Sequence, residues 1–277
     1  MRQEIFFGKE GQEKLGRLKV AIIGLGGIGS HVAQQLAYLG VRNFVLVDHD
    51  KIDGTNLNRL IGASEKDLGV EKVKIAARGI MQIQEATHVQ PIDEGLLSKK
   101  AIDAIKESDF VFGCVDEDGV RLVLLEACCA FKKPLLDLAS DVPDENTFGG
   151  RVVFTGIGKG CLKCRDEIDD DQVDWYFSSP EQRKEKEHIY GVRKGALGTA
   201  GPSVVFLNGV IASVGVQEFA VFVNPVMRKP IPYLEYRGNM GLLLRPQDQP
   251  KPGCFFCETI WNAKTTDDVY RYVSGPK

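Results

Sequence analysis

A doubly wound α/β fold with a mainly parallel sheet is predicted by three observations. Apolar segments of strand length alternate with helix-period segments through the first half of the chain. The first, fourth and fifth strand candidates are near-continuous apolar runs, as expected where helices cover both sheet faces. The links between segments are short, which suits strand–helix–strand units in one parallel sheet.

Strands are predicted at 19–24, 43–47, 88–92, 110–114 and 134–138, and helices at 27–39, 72–84, 100–107 and 119–131. Beyond Ala139 the pattern changes. A further strand is expected at 150–155, an apolar helix at 203–222, and an antiparallel hairpin at 233–236 and 241–244. Residues 165–194 are charged and lack aliphatic periodicity, too long for an ordinary connection, so a mobile functional loop is expected there. No internal repeat or second domain boundary is visible, and the 277 residues are expected to form one domain.

Composition excludes several classes. A hydrophobic content of 43% and a charged content of 26% are ordinary for a globular protein, and a net charge of -3 leaves no electrostatic footprint for nucleic acid or anionic membrane. No apolar run is expected to span a bilayer, and the N-terminus lacks the apolar core of a signal peptide, so a cytoplasmic location is expected.

The turn Gly24-Leu25-Gly26-Gly27-Ile28-Gly29 joins the first strand to its helix. Gly24 permits the tight turn, Gly26 and Gly27 let backbone amides approach a phosphate, and Gly29 lets the helix pack on the sheet. Asp48 ends the next strand about twenty residues on, where a carboxylate would accept hydrogen bonds from ribose hydroxyls. A ligand-free glycine turn is the bland alternative, and the pattern alone does not separate NAD from ATP.

Asn56, Arg59, Lys72 and Asp116 make that separation. Asn56 and Arg59 lie one helical turn apart, Lys72 opens a helix, and Asp116 follows the fourth strand, where ligands of open α/β sheets bind. Attack of a carboxylate on the α-phosphate of ATP builds charge that Arg59 and Lys72 would neutralise, while Asp116 would hold magnesium. Taken singly, Arg59 reads equally as a surface ion pair, Lys72 as a solvated helix start, and Asp116 as a helix cap. As a set they point to an ATP user.

Seven cysteines include two CxxC pairs, Cys161/Cys164 and Cys254/Cys257, whose four thiolates suit a closed structural zinc site. That ion would staple the C-terminal tail to the domain body. A redox role is the weaker reading, and Cys114, Cys128 and Cys129 read as small core residues. The carboxylates Asp166, Glu167, Asp169, Asp170, Asp171 and Asp174 read as a solvated segment, or alternatively as an acidic lip guiding a basic partner tail.

In combination these residues resemble the ThiF/MoeB/HesA group of ubiquitin-activating-like adenylyltransferases. The shared pieces are Arg2-Gln3, Gly11-Gln12-Glu13-Lys14-Leu15, the glycine turn with Ser30, Asp48-His49-Asp50, Asn56-Leu57-Asn58-Arg59, Lys72, Cys114-Val115-Asp116, Gly198-Thr199-Ala200-Gly201-Pro202 and both CxxC pairs. The resemblance implies a single adenylation domain over 1–277. Its nucleotide-binding half would be about 1–140, with a crossover loop at about 165–197 and a zinc-stapled part to about 257.

It further implies MgATP-dependent adenylation of the C-terminal carboxylate of a small ubiquitin-like or sulfur-carrier protein ending in Gly-Gly, by a homodimer. Carried over by motif, Asp48 and Asp50 serve the nucleotide, Asn56 and Arg59 the phosphates, Lys72 the phosphates or adenylate, and Asp116 magnesium. Arg2 would reach the partner subunit's ATP. Leu60 stands where the family usually has Gln, and no helix is expected ahead of Arg2 to hold it. Thioester-forming members carry a crossover-loop cysteine; residues 165–194 have none, so adenylation without an enzyme thioester is expected. The competing readings are adenylation of a peptide or small-molecule carboxylate, an NAD-binding oxidoreductase, and a non-catalytic scaffold.

Overall fold

Aliphatic side chains on both faces of the central strands set the architecture. The computed structural model describes residues 3–183, 203–224, 228–247, 249–264 and 268–273. Strands β1 (Lys19–Ile23), β2 (Asn43–Val47), β3 (His88–Ile92), β4 (Phe110–Gly113) and β5 (Leu135–Asp144) pair in parallel in the order β3-β2-β1-β4-β5. Antiparallel β6 (Thr147–Thr155), β7 (Tyr233–Arg237) and β8 (Leu242–Leu244) extend this to an eight-stranded sheet.

Seven helices are labelled in chain order: α1 (Glu4–Arg17), α2 (Gly27–Leu39), α3 (Lys72–Ile83), α4 (Lys99–Glu107), α5 (Asp118–Ala130), α6 (Asp170–Phe177) and α7 (Val205–Val223). Alternation along each strand splits the core. Val20, Ile22, Phe44, Leu46, Phe110 and Phe112 face α1, α2, α3 and α7, whereas Ala21, Ile23, Val45, Val47 and Val111 face α4 and α5. On the first face Phe110 meets Phe219 of α7 edge-on, with ring centroids 4.8 Å apart.

The mixed, mainly parallel sheet and its antiparallel extension match the fold class read from the sequence. Strands 43–47 and 88–92 fall at their predicted bounds. β5 runs on to Asp144 because it turns back directly into β6, pairing Asp144 with Thr147. Two helices depart from expectation. α1 buries only Phe7, Gly11 and Leu15 and is kinked at Gly8, so its apolar stripe is too thin to read as a helix. α6 lies where a loop was expected; Asp169 caps it by accepting hydrogen bonds from the backbone of Asp171 and Gln172, and none of its residues is buried. Periodicity cannot reveal a helix without a buried stripe.

α7 also corrects an expectation, since its length and apolarity suffice for a membrane span. Inside the fold it packs on the sheet, and its fully buried Glu218 accepts hydrogen bonds from Arg228 Nη1 at 2.8 Å and the Ile231 amide at 2.8 Å. Arg2, residues 184–202 and the Gly198-Thr199-Ala200-Gly201-Pro202 turn lie outside the described residues.

Gly29 sits where α2 crosses the end of β1, and a Cβ there would lie 1.9 Å from the Gly24 carbonyl oxygen. Gly29→Ala is therefore expected to destabilise the fold by about 1–3 kcal/mol, the usual range for overpacking. An unchanged urea midpoint for this variant would contradict that packing.

Candidate functional site

β1 and β4 are neighbours, but the chain leaves them toward opposite sides of the sheet order, opening a crevice at their carboxyl ends. Gly24 closes the bottom of this crevice. It has φ +87°, and a Cβ would lie 2.6 Å from the Cys114 carbonyl oxygen. α2 then begins at Gly27, behind a cap residue, Gly26, that makes no side-chain cap. First-turn amides have no intrahelical partner and carry the positive end of the helix dipole. Gly26 and Gly27 line a cavity of 1120 Å³ that reaches from Asp48 past Asp116 to Ser140 and Asp141.

Asp48 directly follows β2, with its carboxylate tied down. Oδ2 accepts from the Leu25 amide at 2.6 Å and Oδ1 from the Asp50 amide at 2.8 Å. Burial pushes its pKa up, against the opposing pull of Lys72. Each oxygen retains acceptor capacity toward the cavity, as a ribose site requires. Leu96, Leu97, Val115 and Val120 add apolar lining.

Lys72 starts α3 but is not a solvated helix start: it is 9% exposed, and Nζ contacts Asp50 Oδ2 at 2.7 Å. Arg59 lines the cavity and among the described residues makes no ion pair, its Nη1 donating to Thr55 O at 2.6 Å and Asn58 Oδ1 at 3.2 Å. Asn56 and Gly29 are not part of the cavity lining. Asn56 is buried in the turn that presents Arg59, where Oδ1 accepts from the Asp53 amide at 3.4 Å. The two residues thus share a turn rather than a face. Asp116 is exposed on the cavity wall, and the cap position of α5 belongs to Glu117, so Asp116 is not a helix cap. Beside it, burial and the Asp116 charge raise the pKa of Glu117.

Sequence reasoning missed a charged group deeper in the cavity. Arg151 on β6 donates from Nη1 to Asp137 Oδ1 at 2.7 Å and pairs with Glu167 at 2.5 Å. Arg121 on α5 pairs with Asp118 at 2.6 Å and lies 3.7 Å from Asp137. No motif marks Arg151, whose partners Asp137 and Glu167 come from other elements, and the local i,i+3 pair of Arg121 with Asp118 reads as an ordinary helix-start contact. The acidic stretch is also largely engaged: Asp166 pairs with Lys251, Asp170 with Lys163, Glu167 with Arg151 and Tyr233, and Asp169 caps α6.

Away from the cavity, the four CxxC cysteines converge. Their sulfurs lie 3.8 Å (Cys161–Cys164), 3.7 Å (Cys161–Cys254) and 3.5 Å (Cys164–Cys257) apart, and all four fall within 4.8 Å of one another. A tetrahedron with zinc–sulfur bonds of about 2.3 Å has sulfur–sulfur edges of about 3.8 Å. Donor type, number and spacing therefore suit one zinc ion. Burial raises the Cys161 thiol to about 12, while at Cys164 hydrogen bonds outweigh burial and lower it; a bound cation is what would keep all four ionised together. Cys128 and Cys129 are core residues, while Cys114 lines the cavity.

Comparison with known proteins agrees with this geometry. The sequence profile of the ThiF family matches residues 1–263. The chain is 31% identical over 159 residues to the adenylyltransferase and sulfurtransferase MOCS3 of Drosophila persimilis, covering 57% of this chain and 34% of that protein. It is 30% identical over 158 residues to MOCS3 of Bos taurus, with the same coverage of 57% and 34%. The chain thus spans about a third of these relatives. Among solved structures, E. coli MccB with ATP superposes with a TM-score of 0.67 at 22% identity, over 89% of this chain and 68% of MccB. The microcin C7 biosynthetic enzyme MccB in complex with N-formylated MccA gives 0.69 at 22% identity, over 89% and 69%. These structures share the fold.

The cysteine tetrad makes a direct prediction. Elemental analysis of the purified protein is expected to find about one zinc per chain. Stripping the ion, or replacing Cys257 with Ser, is expected to lower Tm by more than about 5 °C. A metal-free protein of undiminished Tm would contradict the assignment.

Proposed function

The chain belongs to the ThiF family, and from that premise we propose that it is an adenylyltransferase. It would use MgATP to activate the C-terminal carboxylate of a small ubiquitin-like or sulfur-carrier protein. The observation that carries this reading is a single cavity uniting the α2 amides, Arg59, Lys72 and Asp116, with room beyond them over Ser140 and Asp141 for an acyl tail.

The chemistry follows from the placement. Asp48 accepts from the ribose, which fixes the nucleotide along β2. Gly26 and Gly27 present backbone amides to the phosphates at the start of α2. One carboxylate oxygen attacks the α-phosphorus, the bond to the bridging oxygen breaks, and pyrophosphate leaves, giving the acyl-adenylate. Lys72 and Arg59 neutralise charge on the phosphoryl oxygens and on departing pyrophosphate, with Asp50 holding Lys72 in place until the phosphates arrive. Asp116 would hold magnesium, which supplies further neutralisation when bound. An NAD-dependent reaction would leave Arg59, Lys72 and Asp116 without a task.

No enzyme thioester is proposed. Residues 165–202 contain no cysteine, and burial raises the thiols of Cys114, Cys128 and Cys129, which makes them poor nucleophiles. A homodimer with Arg2 reaching the second subunit's nucleotide, and one adenylation domain over residues 1–277, complete the proposal. A peptide substrate is the second reading, suggested by the likeness to MccB, which has been solved in complex with N-formylated MccA.

ATP–pyrophosphate exchange tests both readings. Exchange is expected only when a Gly-Gly-tailed protein or a peptide acceptor is supplied. Asp116→Ala and Lys72→Ala are each expected to lower it by at least about 100-fold. Tight MgATP binding without exchange for any protein or peptide would leave a small-molecule carboxylate; binding of NAD in place of ATP would overturn the proposal. A reductant-sensitive enzyme–substrate adduct would refute the absence of a thioester.

A further inference from the structure

The turn bearing Asp116 has an unusual support. Asp116 is exposed, and among the described residues no hydrogen bond or ion pair is recorded for its side chain. Its direction therefore rests on the backbone of residues 115–118. Arg121 holds the segment on both sides of Asp116, by backbone on one side and by side chain on the other: Nη2 donates to the Val115 carbonyl at 2.7 Å, and Nη1 donates to the side-chain Oδ1 of Asp118 at 2.6 Å. The two contacts bracket Asp116, one residue before it and two residues after.

The arginine is itself anchored. Its side chain is 11% exposed, Asp118 is 9% exposed, and Asp137, 3.7 Å from Nε, is 1% exposed. Asp118 Oδ2 accepts from the Asp169 amide at 2.8 Å, which ties the turn to the start of α6. Arg151 holds Asp137 Oδ1 from the far side at 2.7 Å. A planar guanidinium can reach a carbonyl and a carboxylate at once in a fixed fork; an ammonium or a carboxamide cannot reproduce that spread.

We infer that Arg121 is the positioning residue for Asp116, clamping the turn so that the Asp116 carboxylate meets the magnesium of bound MgATP. The inference rests on the proposed nucleotide site. Arg121 stays with Val115 and Asp118 throughout, and its effect on the nucleotide passes through Asp116. A purely structural role predicts loss of stability alone; the clamp predicts a specific loss of metal-dependent affinity.

Calorimetric titration of ATP, in excess EDTA and again in saturating magnesium, reads that affinity directly. The wild type is expected to bind more tightly with magnesium, and Asp116→Ala to lose that gain. Arg121→Gln is expected to lose at least about fivefold of the gain while its EDTA affinity stays within about twofold, an effect typical of outer-shell partners. Arg121→Lys keeps the buried charge and supplies a folded variant if glutamine is not tolerated; it is expected to show the same selective loss. A folded Arg121 variant that keeps the full magnesium gain, whatever its Tm, would overturn the inference. No magnesium gain in the wild type, or none that depends on Asp116, would instead strike the proposed nucleotide site.

Discussion

At the carboxyl ends of β1 and β4 the backbone of Gly24 packs so closely on Cys114 that a single added carbon would lie 2.6 Å from a carbonyl oxygen. That contact fixes the rest of the site. It brings the amides at the start of α2 beside the turn that carries Asp116, with the sheet forming one shared floor. Gly29, seated against the Gly24 carbonyl, lets α2 begin at once. A larger residue at either position would force the phosphate-binding turn and the Asp116 turn apart.

Around this pair the charges divide by depth. The deep arginines, Arg121 and Arg151, are occupied by Asp118, Asp137 and Glu167, so they shape the cavity rather than offering free charge to a ligand. The shallower Arg59 has only neutral partners in the described structure, and Lys72 has one half-exposed carboxylate, Asp50. An incoming polyphosphate can compete with those partners far more readily than with a buried pair. This division explains how one cavity can hold four basic side chains and still present two of them to substrate.

Much of this was legible in the sequence, for local reasons. Apolar runs such as Asn43–Val47 announce buried strands, and the glycine turn announces a helix start open to anions. The motif spacing also placed Arg59, Lys72, Asp48 and Asp116 near one crevice. What escaped was non-local or lacked a buried stripe. α6 buries nothing, and α1 buries one residue per turn. The Arg121–Asp137–Arg151–Glu167 group draws on α5, β5, β6 and the segment before α6, and no spacing in a linear chain marks such a meeting. Asn56 shows the converse: its motif position suggested a phosphate ligand, while its side chain lies in the turn behind Arg59.

The central claim is that the Gly24–Cys114 junction is an ATP site in which Asp116 faces the phosphates. A crystal structure with a non-hydrolysable ATP analogue and manganese, located by its anomalous signal, tests it most directly. The account predicts the ribose on Asp48, the α-phosphate over Gly26 and Gly27, and manganese bound by Asp116. A nucleotide lying elsewhere, or manganese held without Asp116, would contradict it.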